Sequence, residues 1–103
     1  MTDLKPSFKP FTLGSIVATP GALDALSLSR ILECLIRHAR GDWGQVCEED
    51  AAENDLATCE GFRILSAYAI DPAQPCAGFG DNCVWVITEA DRSVTTLLLP
   101  SEY

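Results

Sequence analysis

The 103-residue chain holds one histidine, one methionine and only seven basic residues against fifteen acidic ones. Each scarcity removes a class of function. A net charge of −8 and a pI near 4.3 exclude a phosphate-backbone binder, because that affinity comes from Lys and Arg neutralising phosphates. No run approaches the 18 apolar residues of a membrane span, so no membrane partner is expected. Residues 1–13 carry two lysines and two prolines and lack the apolar core of a signal peptide. No two of the five cysteines, Cys34, Cys47, Cys59, Cys76 and Cys83, form a C-x-x-C pair. Their odd number and spacing point to reduced thiols, a cytoplasmic protein, and no metal or other cofactor. Glycine-rich phosphate loops, nucleophile elbows, repeats and low-complexity runs are absent too.

What remains has the composition of an ordinary globular domain, 48% hydrophobic and 21% charged, and residues 1–103 read as a single domain. Residues 1–11 form an extended arm with two prolines and two phenylalanines. Leu13 to Thr19 is a β-branched run, a first strand. Thr19-Pro20 starts a short helical turn through Ala22 to Leu26. From Leu28 the apolar residues Leu28, Ile31, Leu32, Leu35, Ile36 and Ala39 fall on one helical face. Ser27 or Ser29 caps this helix, Glu33 and Arg37 are placed for an i,i+4 pair, and Gly41 ends it. A second helix begins at Glu48, with Ala52, Leu56 and Cys59 as its inner face and Gly61 as its stop.

Beyond Gly61 the period changes to two. Phe62 to Ile70 reads as a strand with Phe62, Ile64, Tyr68 and Ile70 on one face. The segment from Asp71 to Asn82 is rich in Pro, Gly and Asp, which makes 72–82 a hairpin loop. Cys83 to Thr88 and Val94 to Leu99 are further strands, joined by the short connection Glu89 to Ser93. The expected class is α+β: an antiparallel sheet of about four strands with two helices on one face, in the order strand, helices, three-strand meander.

Function concentrates between His38 and Gly61. Asp42, Glu48, Glu49, Asp50, Glu53, Asp55 and Glu60 are uninterrupted by any Lys or Arg. Such a segment presents negative charge to solvent, either for solubility or for a protein partner with a basic surface. In the Gly41-Asp42-Trp43-Gly44 turn, Trp43 is either an anchor of the connection or a recognition residue at the edge of that face. His38 lies just off the core stripe at a helix C-terminus. It is a surface or capping residue favoured in its charged form there, or a general acid or base paired with Glu89, Asp91 or Arg92 from the strand connection. The hairpin tip itself reads as a solvated turn with an Asp91 to Ser93 side-chain to backbone bond.

Four segments carry a family resemblance: His38-Ala39-Arg40-Gly41-Asp42-Trp43-Gly44, Glu49-Asp50-Ala51-Ala52-Glu53-Asn54, Glu60 to Tyr68, and the C-terminal WVITEADRSVTTLLLPSEY from Trp85 to Tyr103. They resemble a family of small uncharacterised proteins carried by bacterial plasmids, phages and integrating elements. The loop from Pro72 to Asn82 looks longer than that family's hairpin. The resemblance implies a non-catalytic accessory protein of a mobile genetic element, binding a protein partner through Asp42, Trp43, Glu48, Glu49, Asp50, Glu53 and Asp55. One concrete form is an inhibitor of a host defence complex, restriction or CRISPR, whose carboxylates occupy a groove meant for phosphates. The element order also resembles the RelE/ParE toxin fold, which implies a small ribonuclease-like hydrolase using His38, Glu89 and Arg92. Those toxins are basic, however, and this chain is acidic. A homo-oligomer is a third reading, and it predicts an apolar patch on the outer face of the sheet.

Overall fold

The structure, a computed structural model, describes residues 8–103. The first seven residues of the arm expected at 1–11 lie outside that range. Within it the order is β1 (Ser15–Ala18), α1 (Pro20–Ala25), α2 (Leu28–Ala39), α3 (Glu48–Glu60), β2 (Ile64–Ala69), β3 (Cys83–Thr88), β4 (Val94–Leu98) and a closing 3-10 turn, Pro100–Glu102. This is the expected α+β class, with helices on one face of a four-stranded sheet.

The sheet runs β1-β4-β3-β2. β2, β3 and β4 form the expected antiparallel meander, because five and thirteen residues are short enough links for hairpins. β1 pairs with β4 in parallel, Ser15 opposite Val94 and Ala18 opposite Leu97, so the sheet is mixed. The three helices sit side by side across it: α1 packs chiefly on β4, α2 on β3 and α3 on β2. β1 lies beyond them at one edge.

Each helix start obeys local chemistry. The Thr19 hydroxyl accepts from the Ala22 amide and Pro20 fills the first turn of α1. Ser27 caps α2 through the Arg30 amide. The Cys47 sulfur accepts from the Asp50 amide at the head of α3. At the other end of the chain the Glu102 carboxylate reaches back to the Thr19 hydroxyl, the Gly21 amide and the Leu99 amide. These bonds, the Thr19 one foremost, hold its pKa below the usual glutamate value.

The buried faces differ from the periodicity in three places, two helices and a strand. On α2 the buried residues are Ile31, Cys34, Leu35 and His38, while Leu28, Leu32 and Ile36 are 72%, 51% and 51% exposed. The apolar stripe is wider than the sheet can cover, and the helix turns one flank of it to solvent. On α3 the inner residues are Asn54, Ala57 and Thr58, with Ala52, Leu56 and Cys59 exposed. Polar residues win the inner face because they bond backbone: Asn54 accepts from the Leu65 amide and donates to the Leu65 carbonyl, and Thr58 accepts from the Lys9 amide and donates to the Asp55 carbonyl. Phe62 precedes β2 and is 58% exposed, while Ser66 takes the buried place between Ile64 and Tyr68.

Two apolar clusters lie under the helices. One joins Ala22, Leu26, Ile31, Cys34 and Leu35 to Tyr68, Val84, Val86 and Leu97. The other joins Trp43, Ala57 and Ile64 to Phe8, Phe11, Val46 and Ala51. The free edge of β2 is covered at Leu65, at Ala67 and at the Ala69 carbonyl. Asn54 satisfies Leu65, the Trp43 carbonyl and Gln45 amide bond to Ala67, and the Arg30 guanidinium donates to the Ala69 carbonyl. Gly44, at φ 75°, makes this approach possible, since a Cβ there would drive into the Ala67 carbonyl oxygen.

Asn54→Ala tests this seal directly. The substitution leaves the Leu65 amide and carbonyl unpaired at a covered edge, and unfolding in urea is expected to show a loss of about 1–3 kcal/mol. An unchanged midpoint would mean that α3 docks without Asn54.

Candidate functional site

His38 occupies the junction of the two apolar clusters and has no exposed surface. Its Nδ1 lies 2.5 Å from Ser66 Oγ and its Nε2 lies 2.9 Å from Thr88 Oγ1. Thr88 Oγ1 is 2.7 Å from Thr95 Oγ1, and the Thr95 hydroxyl donates to the Leu13 carbonyl at 2.7 Å. A carbonyl only accepts, so Thr95 spends its proton on Leu13 and must accept from Thr88. Thr88 then accepts from Nε2–H. In a neutral ring this leaves Nδ1 as the acceptor of the Ser66 hydroxyl, the Nε2–H tautomer. Burial is the main cause holding its pKa down to about 4, with the like charge of Arg92 second. The charged, solvent-facing histidine expected from the helix C-terminus is therefore corrected: the strand hydroxyls, at inward positions, draw the ring into the core.

The three residues of the hydrolase reading do not form a cleft. Arg92 stands in the left-handed region at φ 62°. Its guanidinium donates to the carbonyls of Phe62, Glu89 and Ala57, tying the end of α3 to the β3–β4 hairpin. It also lies 5.5 Å from the Phe11 ring centroid, and Phe11 sets its edge against His38 at 5.5 Å. Phe11 thus packs against both Arg92 and His38. Among the described residues no hydrogen bond joins the Glu89 carboxylate to His38 or Arg92; the Glu89 backbone shapes the turn instead. The Asp91 to Ser93 bond is present at 3.0 Å.

The residues expected at a partner surface divide in two. Trp43 is 3% exposed, its indole donates to Asp55 Oδ1 at 2.9 Å, and His38 and Phe8 pack on it at 5.8 and 6.2 Å. The pair Trp43 and Asp55 anchors the α2–α3 connection and is not offered to a partner. Asp42 accepts from Arg37 at 2.7 and 3.3 Å, so Arg37 turns over the Tyr68 ring, 4.5 Å from its centroid, and away from Glu33. Glu33 pairs with Arg30. The expected Glu33–Arg37 bridge is replaced because Asp42, at the chain reversal, gives Arg37 a two-pronged partner.

Glu48, Glu49, Asp50 and Glu53 are all exposed, and among the described residues none has a cationic partner. Three of them fill the first turn of α3, where the helix dipole favours negative charge. Asp50, Glu53 and Leu56 recur every three residues along one flank of α3. They border an open groove of about 450 Å³ whose wall is completed by Val46, Asn54, Ala57, Phe62, Arg63 and Leu65. Sequence patterning missed this groove because it assigned Leu56 and Phe62 to the core. Among the described residues no three His, Cys, Asp and Glu side chains come together as metal ligands, no disulfide is formed, and no helix is long and apolar enough to cross a membrane.

The buried neutral histidine makes stability depend on pH. Its folded pKa lies below the ordinary 6.5, so the unfolded chain binds a proton that the fold does not. The contribution is complete above pH 6.5 and is lost as pH falls toward 4, by about 3 kcal/mol. Urea midpoints of wild type and His38→Gln between pH 7 and 4.5 check this: the wild type is expected to lose stability more steeply. Parallel curves would contradict it.

Comparison with protein-family models, curated proteins and solved structures finds no match to the chain.

Proposed function

We propose that the protein is a non-catalytic binding module that engages a basic protein partner through α3 and its groove. The observation that carries this reading is the coincidence of four exposed carboxylates, without a cationic partner among the described residues, with a partly apolar groove along one flank of the same helix. Carboxylates alone steer association and set its salt dependence. Residence needs apolar burial, and Phe62 and Leu56, 58% and 49% exposed, supply it. The fitting counterpart is a segment in which lysines or arginines flank an aliphatic or aromatic side chain.

The family resemblance in the Gly41 to Gly44 turn and the C-terminal string extends this to an accessory protein of a mobile element acting in the cytoplasm. A host restriction or CRISPR complex is the concrete partner, since its basic nucleic-acid groove would accept an acidic helix. Interference would then be competitive, with nucleic acid and this protein excluding each other.

Capture from a host lysate tests the reading, comparing wild type with the quadruple variant Glu48→Gln, Glu49→Gln, Asp50→Asn, Glu53→Gln and with Phe62→Ala. The quadruple variant is expected to lose about tenfold or more in partner affinity and most of its salt dependence. Phe62→Ala is expected to shorten residence while leaving the salt dependence in place. Asp55 stays unsubstituted because it holds Trp43. A partner retained equally by all three proteins would exclude the acidic face as the binding surface.

A further inference from the structure

We infer that Cys76 and Cys83 form a thiol–disulfide exchange site: Cys76 takes a low-molecular-weight disulfide from solvent, and Cys83 resolves the mixed disulfide into a reversible bond between the two cysteines. This site is separate from the acidic groove of α3.

The loop between β2 and β3 is folded back on the start of β3 and tied there. Cys83 opens β3 opposite Ala69, at the mouth of the hairpin. Just before it, the Asn82 side-chain nitrogen donates to the carbonyls of Asp71, Gln74 and Pro75, each at 3.1 Å. The Asn82 carbonyl group of the side chain accepts from the Asp71 amide at 2.8 Å. Just after it, the Trp85 indole donates to the Gly78 carbonyl at 2.8 Å. Cys76 therefore lies between the Pro75 and Gly78 anchors in the loop, as Cys83 lies between Asn82 and Trp85 in the chain that holds them. Two short segments fastened on both sides bring these cysteines together.

Side-chain direction agrees with this. Val84 and Val86 belong to the cluster under the helices, so alternation turns Cys83 to the other face of the sheet, with Trp85. Cys83 has no exposed surface there, and the Cys76 thiol is its hydrogen-bond neighbour. The remaining cysteines are placed elsewhere: Cys34 packs under α2, and Cys47 and Cys59 stand at the two ends of α3, roughly 18 Å apart along its axis.

Position gives the two thiols different roles. Cys76 is half-buried and lines an open recess of about 470 Å³ together with Arg30, Arg37, Gln45 and Gln74, so a small reagent has room to reach its sulfur. Cys83 is shut off from solvent. Burial first, and the Cys76 thiol second, push its pKa up, so it stays protonated while Cys76 reacts. In the first step the Cys76 sulfur attacks a reagent X–S–S–X: a bond forms from Cys76 to one sulfur, the reagent's S–S bond breaks, and X–SH leaves with the Cys76 proton. Cys76 then no longer holds back ionisation of its neighbour. In the second step the Cys83 sulfur attacks Cys76 Sγ, and the second X–SH leaves with the Cys83 proton. Two protein thiols are oxidised to one disulfide, the reagent is reduced to two thiols, and no further oxidant is needed.

Incubation of the folded full chain with graded ratios of oxidised to reduced glutathione, quenched with an alkylating reagent and mapped by peptide mass spectrometry, tests the site. In wild type a Cys76–Cys83 link is expected, and dithiothreitol is expected to reverse it. Cys83→Ser lacks the resolving sulfur, so glutathione is expected to accumulate on Cys76 about tenfold or more above wild type. Cys76→Ser is expected to leave Cys83 unmodified until urea unfolds the chain. The wild-type map needs no substitution, so it decides the matter even where a variant fails to fold. A wild type that keeps glutathione on Cys76 while Cys83 stays reduced overturns the inference. So does one that leaves both thiols reduced when the exposed Cys47 is fully modified, or a Cys83 that reacts in folded Cys76→Ser as fast as Cys76 does in Cys83→Ser.

Discussion

The hydrogen-bonded line from Ser66 through His38, Thr88 and Thr95 to Leu13 holds the middle of the structure together. It links α2, all three strands of the meander and the segment leading into β1. It also lies where apolar contacts run out, between the cluster under α2 and the one around Trp43. A buried donor or acceptor left unpaired costs about 1–3 kcal/mol, so each member of the line depends on the others being in register. One consistent set of donors and acceptors runs through it, with Nε2–H donating to Thr88, and burial keeps the ring neutral. Both ring nitrogens are engaged and the side chain has no exposed surface.

Around this line the molecule sorts its chemistry to two ends. The β2 edge is closed by side chains from α2 and α3 and carries the acidic groove just outside the seal. The β1 edge has no further strand beside it among the described residues. Arg92 and Trp43 both serve the closed end: one bonds carbonyls at the C-terminus of α3, and the other ties α3 to the turn through Asp55.

The meander was legible in the chain because β-branched alternation and short connections leave little choice: Cys83–Thr88 has the boundaries that its residues suggest. Class and helix positions were legible for the same reason. Helix rotation was not. Six apolar residues on α2 define a stripe wider than one sheet contact, and periodicity cannot say which flank is covered. Asn54 and Thr58 beat Leu56 for the inner face of α3 through backbone bonds made at separations that no local pattern reports. The His38 line had a readable sign: Ser66 shares a face with Ile64 and Tyr68, and a hydroxyl on a core face needs a partner. Its partner was the lone histidine, 28 residues away. The parallel pairing of β1 likewise depends on a strand at the other end of the chain.

The protonation state of His38 is the most direct test of the claim that this residue is structural and that function lies on the surfaces around it. Long-range proton–nitrogen NMR correlation of the imidazole distinguishes the two neutral tautomers and follows titration. A neutral ring protonated at Nε2 that remains so from pH 8 down to pH 5 is predicted. A ring that titrates near its ordinary 6.5, or carries its proton on Nδ1, would contradict the account and reopen His38 as a reactive group.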